Sequence, residues 1–182
     1  MKLKLNNVRL AFPVLFEAKT VNGEGKPAFS ASFLMDPADP QVKALNQAIE
    51  QVAKDKWGAK ADAILKQMRA QDKVALHDGD LKSNYDGFPG NLYVSARATT
   101  RPLVIDKDKS PLTEQDGKPY AGCFVNASIE LWPQDNNYGK RVNASLRGVQ
   151  FFRDGDAFAG GGAASVDEFD DISSGATADD LV

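Results

Sequence analysis

The sequence predicts a mainly β fold with a helical insert (α+β), closing as a small OB-like five-stranded barrel and followed by a disordered acidic C-terminal tail. Three observations lead there. Most apolar residues alternate with polar ones in short runs. A single stretch switches to helical spacing. Beyond Arg153 the periodicity stops and the charge becomes purely acidic.

Residues 2–12 open the chain with Leu3 and Leu5 facing one way and Lys2 and Lys4 the other, the pattern of a half-buried strand. Asn22-Gly23-Glu24-Gly25 reads as a hairpin turn into a second strand at 28–35, where Phe29, Ala31, Phe33 and Met35 share a side. Asp39-Pro40 supplies an N-cap and a first-turn proline. Val42, Leu45, Ile49 and Val52 then recur at helical spacing. A second helix after Gly58 carries Ile64, Leu65 and Met68. Residues 77–91 form a long loop rich in Gly, Asp and Asn. Strands are expected at about 91–99, 102–106, 121–132 and 141–152, with hairpin turns in the connections at 106–120 and 133–140. Gly148 marks a bulge, because the alternation changes phase there. A sandwich is the alternative to the barrel.

Composition removes whole classes of function. The chain has 182 residues, one cysteine (Cys123) and one histidine (His77), which leaves no disulfide framework and no zinc site of clustered Cys and His. The N-terminus lacks a signal-like apolar stretch, and no run reaches the roughly 18 apolar residues of a spanning helix. A cytoplasmic protein without membrane association is expected. There is no GxxxxGK[ST] loop, and Gly160–Gly162 does not link a strand to a helix. His77-Asp78-Gly79-Asp80, with Asp86 nearby, is more simply a turn than a carboxylate metal site. Cys123 belongs to an apolar strand face. No catalytic constellation, metal site or cofactor site emerges, so the chain reads as a non-enzyme.

Charge divides the chain into two expected units, a barrel domain over 1–153 and a Gly-rich acidic tail over 154–182. The tail holds eight acids and no Lys or Arg, leaving 17 of the 25 acids against all 22 bases in the body, a net of +5. A basic body tied to an acidic tail suggests a nucleic-acid partner.

The predicted strands locate the contact surface. Each has a clean apolar face, yet the opposite faces carry Tyr93, Phe124 and Trp132 beside Arg97, Arg141 and Arg147. Flat rings on a wet face call for a cover. Unpaired bases would supply one by stacking, while guanidinium groups pair with phosphates. Tyr85 and Phe88 in the 77–91 loop and Tyr138 in the last hairpin extend the stacking set. Lys82, Lys107, Lys109 and Lys140 extend the phosphate set. The competing reading is a structural or assembly protein whose aromatic face is a subunit interface. A homo-oligomer is compatible with either.

The segment Trp132-Pro133-Gln134-Asp135-Asn136-Asn137-Tyr138-Gly139-Lys140-Arg141-Val142-Asn143-Ala144-Ser145-Leu146-Arg147-Gly148-Val149-Gln150-Phe151, then Asp154-Gly155-Asp156-Ala157-Phe158 and the acidic tail, resembles an OB-fold family of bacteriophage single-stranded DNA-binding proteins. The resemblance spans the chain. It implies sequence-independent binding to single strands and a role in phage DNA replication, recombination or repair inside the infected bacterium. It also implies a tail that docks on replication proteins such as a polymerase or helicase, and the charge split leads us to expect that this polyanionic tail competes with DNA for the basic groove. The residues implied are Asp167, Glu168, Phe169, Asp170, Asp171, Asp179, Asp180, Leu181 and Val182, with Ile172 a further apolar candidate. Similar tails end in an aromatic or apolar residue, and Asp179-Asp180-Leu181-Val182 here is acidic and apolar without a terminal Phe.

Overall fold

A computed structural model describes residues 1–21, 23–158, 166 and 169–173. Its strands are β1 (Lys2–Val21), β2 (Glu24–Met35), β3 (Leu76–Asp78), β4 (Leu92–Ala98), β5 (Leu103–Ile105), β6 (Phe124–Asn136) and β7 (Gly139–Arg153); its helices are α1 (Pro40–Trp57) and α2 (Ala61–Ala70). Five strands form the barrel. Antiparallel neighbours run β4-β2-β1-β6-β7, and a parallel pairing of Arg97 with Ser145 joins β4 to β7 and closes the ring. The short β3 and β5 sit outside it, β3 antiparallel to the start of β4 and β5 parallel to β7.

Alternation builds the interior. Val125, Ala127, Ile129 and Leu131 of β6 point inward, as do Val142, Ala144 and Leu146 of β7, and all are buried. The expected phase change is present. Ser128 pairs with Gly148 but Ile129 pairs with Leu146, so Arg147 is the extra residue of a bulge that re-aims the strand. Cys123 is fully buried, and burial pushes its thiol up to about 11, the behaviour of an inert core residue.

The helical insert starts as its sequence dictates. Asp39 Oδ1 accepts from the Gln41 amide at 2.9 Å, with Pro40 in the first turn. Leu45, Ile49 and Val52 are buried, and α1 lies against β6 and β7. Trp57, at its end, donates its indole N–H to Asp135 of β6 at 3.0 Å.

Three expectations need correction. β1 does not stop near residue 12. It passes through a bulge between Ala11 and Val14, where Phe12 sits at φ +48°, and continues to Val21. The 77–91 segment is not loop throughout, because Leu76–Asp78 adds to the edge of β4 and residues 79–82 form a 3₁₀ turn. The 106–120 connection is not a hairpin. β5 runs parallel to β7, so the chain must cross before β6, and Asp116 instead caps a turn by accepting from the Thr113 amide at 2.7 Å.

Order continues beyond the last strand. Arg9 donates to the Asp156 carbonyl at 2.8 Å, Phe158 donates its amide to the Ala121 carbonyl at 3.1 Å, and the Tyr120 hydroxyl donates to Asp154 at 2.6 Å. Residues 154–158 are thus a strap across the barrel. Gly122 lies beneath it at φ +103°, where an added Cβ would overlap the Asp156 carbonyl oxygen. Gly122→Ala should therefore dislodge the strap and destabilise the protein by about 1–3 kcal/mol. Thermal unfolding should show a fall of roughly 2–4 °C for each kcal/mol. An unchanged melting temperature would mean the strap does not contribute to the fold.

Candidate nucleic-acid interface

Barrel closure brings three outward faces together. Ser95 and Arg97 point out from β4, Arg141, Asn143 and Ser145 from β7, and Trp132 and Gln134 from β6. Trp132 pairs in register with Asn143, Gln134 with Arg141, and Arg97 with Ser145. The Asn143 side-chain amide donates to Gln134 Oε1 at 2.8 Å, fixing the polar floor between the rings and the guanidinium groups. Lys26 from the β1–β2 hairpin and Tyr138 from the β6–β7 tip wall the resulting groove of about 990 Å³. Trp132 is 42% exposed and Tyr138 88%. The Arg97 guanidinium donates to the Lys26 carbonyl at 3.3 Å, which ties the hairpin to the groove.

The groove runs on into a smaller cleft lined by Thr99, Arg101 and Arg147, sharing Ala98 and Ser145 with it. Lys26, Arg97, Arg101, Arg141 and Arg147 therefore make one cationic track. Arg147 is ion-paired with Glu130 at 3.0 Å, but both side chains are more than a third exposed, so the pair is weak and can exchange for a phosphate. Lys26 and Arg101 were missing from the sequence-based set. Lys26 opens β2 just ahead of the alternating 28–35 run, and Arg101 sits in the β4–β5 connection, so neither lay in a segment whose periodicity reports which way a side chain points.

His77 lines the other end of the groove. Its Nδ1 lies 2.6 Å from Asp72, and its ring stacks on Tyr93 with centroids 4.9 Å apart. Tyr93 is only 4% exposed, and Phe88 1%. Both belong to a small outer core with Ala11 and Leu34, formed where the loop after β3 folds back on the barrel. Burial, with the nearby Asp72 carboxylate adding to it, raises the Tyr93 hydroxyl above its ordinary value. Tyr93 and Phe88 thus offer no free face to a base, against the sequence-based expectation. They support neighbours that do. Tyr85 is 45% exposed, and Lys82 Nζ lies 5.2 Å from the Tyr93 ring centre.

Other candidates are scattered. Phe124 points outward as expected but lies eight residues along β6 from Trp132, roughly 26 Å away at strand rise. The Arg153 guanidinium covers its ring at 3.6 Å, so it too lacks an open face toward the groove. Lys107 sits over Phe151 at 5.6 Å. Lys109 lines a separate cleft beside Lys2 and Lys4. Lys140 pairs with Asp135 at 3.7 Å, whose carboxyl is lowered chiefly by the Trp57 indole hydrogen bond.

Asp78 and Asp80 accept from the backbone amides of Asp80 and Gly90 at 2.9 and 2.8 Å, the work of turn residues. Among the described residues no group of three or more His, Cys, Asp or Glu could hold a metal ion, and no helix is long and apolar enough to cross a membrane. Of the tail candidates, Phe169, Asp170, Asp171 and Ile172 are exposed. Asp167, Glu168, Asp179, Asp180, Leu181, Val182 and the Gly160–Gly162 linker lie outside the described residues.

The family described as Enterobacter phage Enc34, ssDNA-binding protein, matches residues 1–182. "Putative protein p50" of Acyrthosiphon pisum secondary endosymbiont phage 1 is 54% identical over 176 residues, 95% of each chain. The solved structure of the single-stranded DNA-binding protein from bacteriophage Enc34 in complex with ssDNA aligns with a TM-score of 0.73 at 28% identity, covering 86% of this chain and 88% of that one. Bacteriophage T7 gp2.5, a single-stranded DNA-binding protein, shares the fold alone, with a TM-score of 0.56 at 14% identity over 93% of this chain and 97% of that one. A five-stranded closed barrel with a helical insert, matched along its whole length by one family, places this chain in the Enterobacter phage Enc34 ssDNA-binding protein family.

Proposed function

We propose that this chain binds single-stranded DNA without sequence preference, during phage DNA replication, recombination or repair in the cytoplasm of the infected bacterium. The observation that carries this reading is the groove itself. Exposed Trp132 and Tyr138 share it with Arg97 and Arg141. A ring accepts any base face, and a guanidinium accepts any phosphate, so neither selects a sequence. The barrel that holds them is the one a relative presents in complex with ssDNA.

In this reading Trp132 and Tyr138 stack on bases, with Tyr85 taking part from the loop. Lys26, Arg97, Arg101, Arg141 and Arg147 track the backbone, and Lys82 supports them. Phe88 and Tyr93 act beneath the surface by holding Lys82 and His77 in place. Phe124, Lys107, Lys109 and Lys140 fall outside the principal path. The role is binding rather than chemistry.

The tail acts as a tethered competitor. Beyond Phe158 it carries Asp167, Glu168, Asp170, Asp171, Asp179 and Asp180 and no base. Tethering to the body gives such a polyanion an effective concentration on the order of millimolar at the cationic track. DNA displaces it, and the freed acidic-apolar segment, including Phe169, Ile172, Leu181 and Val182, becomes available to replication proteins.

Trp132→Ala should weaken binding by roughly 5- to 150-fold, equally for oligo-dT, oligo-dA and mixed sequence, as expected for one lost base stack. Fluorescence anisotropy measures it, and a loss confined to one sequence would contradict the stacking role. In the unaltered protein, log affinity should fall by roughly 3.5 per log unit of salt if five phosphates are neutralised. Removal of residues 159–182, which leaves the strap intact, should raise affinity for oligo-dT at low salt, with the gain shrinking as salt screens the tail. No gain at low salt would exclude tail competition.

A further inference from the structure

A further cavity, of about 480 Å³, opens on the outer face of the barrel; Phe12, Phe16, Tyr85, Phe88, Tyr120 and Phe158 give it aromatic walls, with Asp86, Glu114 and Lys118 at its polar side. Phe12 and Tyr85 are its open side, 46% and 45% exposed and edge to face with ring centres 5.0 Å apart. Phe12 is held at φ +48° by the β1 bulge, a conformation that a large side chain adopts at a cost. Strain of that kind persists where the surrounding structure enforces it and concentrates at binding sites. Here it turns a phenyl ring out of the sheet and into the cavity mouth.

The opposite wall is fixed by the strap. Phe158 lies under the Arg9 guanidinium at 4.3 Å and over Gly87, where an added Cβ would stand 2.6 Å from the phenyl ring. The cavity is thus assembled from β1, the loop after β3, the 114–121 connection and the strap.

The cavity is linked to the groove by a relay of rings. His77, in the groove, stacks on Tyr93 at 4.9 Å; Tyr93 meets Phe88 at 5.0 Å; Phe88 meets Phe12 at 5.6 Å. Lys82 Nζ stands over the last three at 5.2, 5.8 and 5.7 Å. An ammonium above rings and between two ring-lined sites stands where it can contact a phosphate that links two stacked bases.

We infer that the Phe12–Tyr85 cavity is a second base-binding site, which takes a nucleobase of the same single strand after it leaves the groove past His77 and Lys82. The inference rests on the DNA-binding reading above and extends its path. Phe12 and Tyr85 receive the base, Phe158 and Phe16 close the cavity behind it, and Lys82 holds the intervening phosphate. A strand must therefore be long enough to span both sites before these side chains contribute.

The experiment compares two oligonucleotides, (dT)4 and (dT)16, near the limits of about 4 and 16 nucleotides that one such barrel covers. Phe12→Ala and Tyr85→Ala are each exposed truncations, and thermal unfolding checks that both variants remain folded. Each should weaken (dT)16 by roughly 5- to 150-fold, and Phe12→Ala should leave (dT)4, which the groove alone can hold, unchanged. Trp132→Ala should weaken both. Folded Phe12→Ala and Tyr85→Ala proteins that bind (dT)16 like the unaltered chain, while Trp132→Ala does not, would overturn the second site and leave the groove standing. That is also the result expected if the cavity serves a protein side chain instead. An unaltered chain that binds neither oligonucleotide would overturn both.

Discussion

The pairing of Arg97 with Ser145 is the contact on which the rest depends. It is the parallel junction between β4 and β7, and without it the five barrel strands would form an open sheet with Arg97 at one edge. Closure does two things at once. It seals an apolar interior fed by alternating residues from every strand. It also sets the outward faces of β4, β7 and β6 side by side, so that Arg97, Arg141 and Trp132 converge although 35 residues separate Arg97 from Trp132 along the chain. The groove follows from closing the barrel, because side chains that cannot point inward have one shared place to go.

Much of this was legible in the sequence because strand periodicity is strict. A residue next to Val142 or Leu131 must point the other way, and that rule placed Arg141 and Trp132 on the wet side correctly. The same rule could not report what lies above that side. Tyr93 and Phe88 are buried by a loop that folds back on the barrel, a tertiary event with no period. Phe124 shares an outward face with Trp132, yet it lies at the far end of the strand under Arg153. Lys26, at the start of β2, and Arg101, in the β4–β5 connection, left no trace in the pattern, and neither did Phe12, whose exposure comes from a bulge ahead of Pro13. The parallel course of β5 was hidden as well, since a short apolar run does not reveal its partner's direction.

Charge and packing place the end of the barrel differently. By composition, the acidic region starts at Asp154. By contact, the folded body reaches Phe158, because Arg9, Tyr120 and the Ala121 carbonyl hold the strap. The strap carries acids without behaving as a polyanion: its Asp154 carboxylate accepts from a tyrosine and its Asp156 carbonyl from an arginine. Five residues that look like the beginning of a tail therefore carry Phe158 into the wall of an aromatic cavity.

The central claim is that the faces of β4, β7 and the end of β6 meet DNA as one surface. Backbone hydrogen exchange followed residue by residue, with and without saturating oligo-dT, tests it most directly. The account predicts slowed exchange at residues 95–101, 132–134 and 138–147 and in the β1–β2 hairpin around Lys26. It predicts no change at Lys2, Lys4 and Lys109, which are cationic but line a separate cleft. Protection centred on that cleft, with residues 138–147 exchanging as in the free protein, would contradict it.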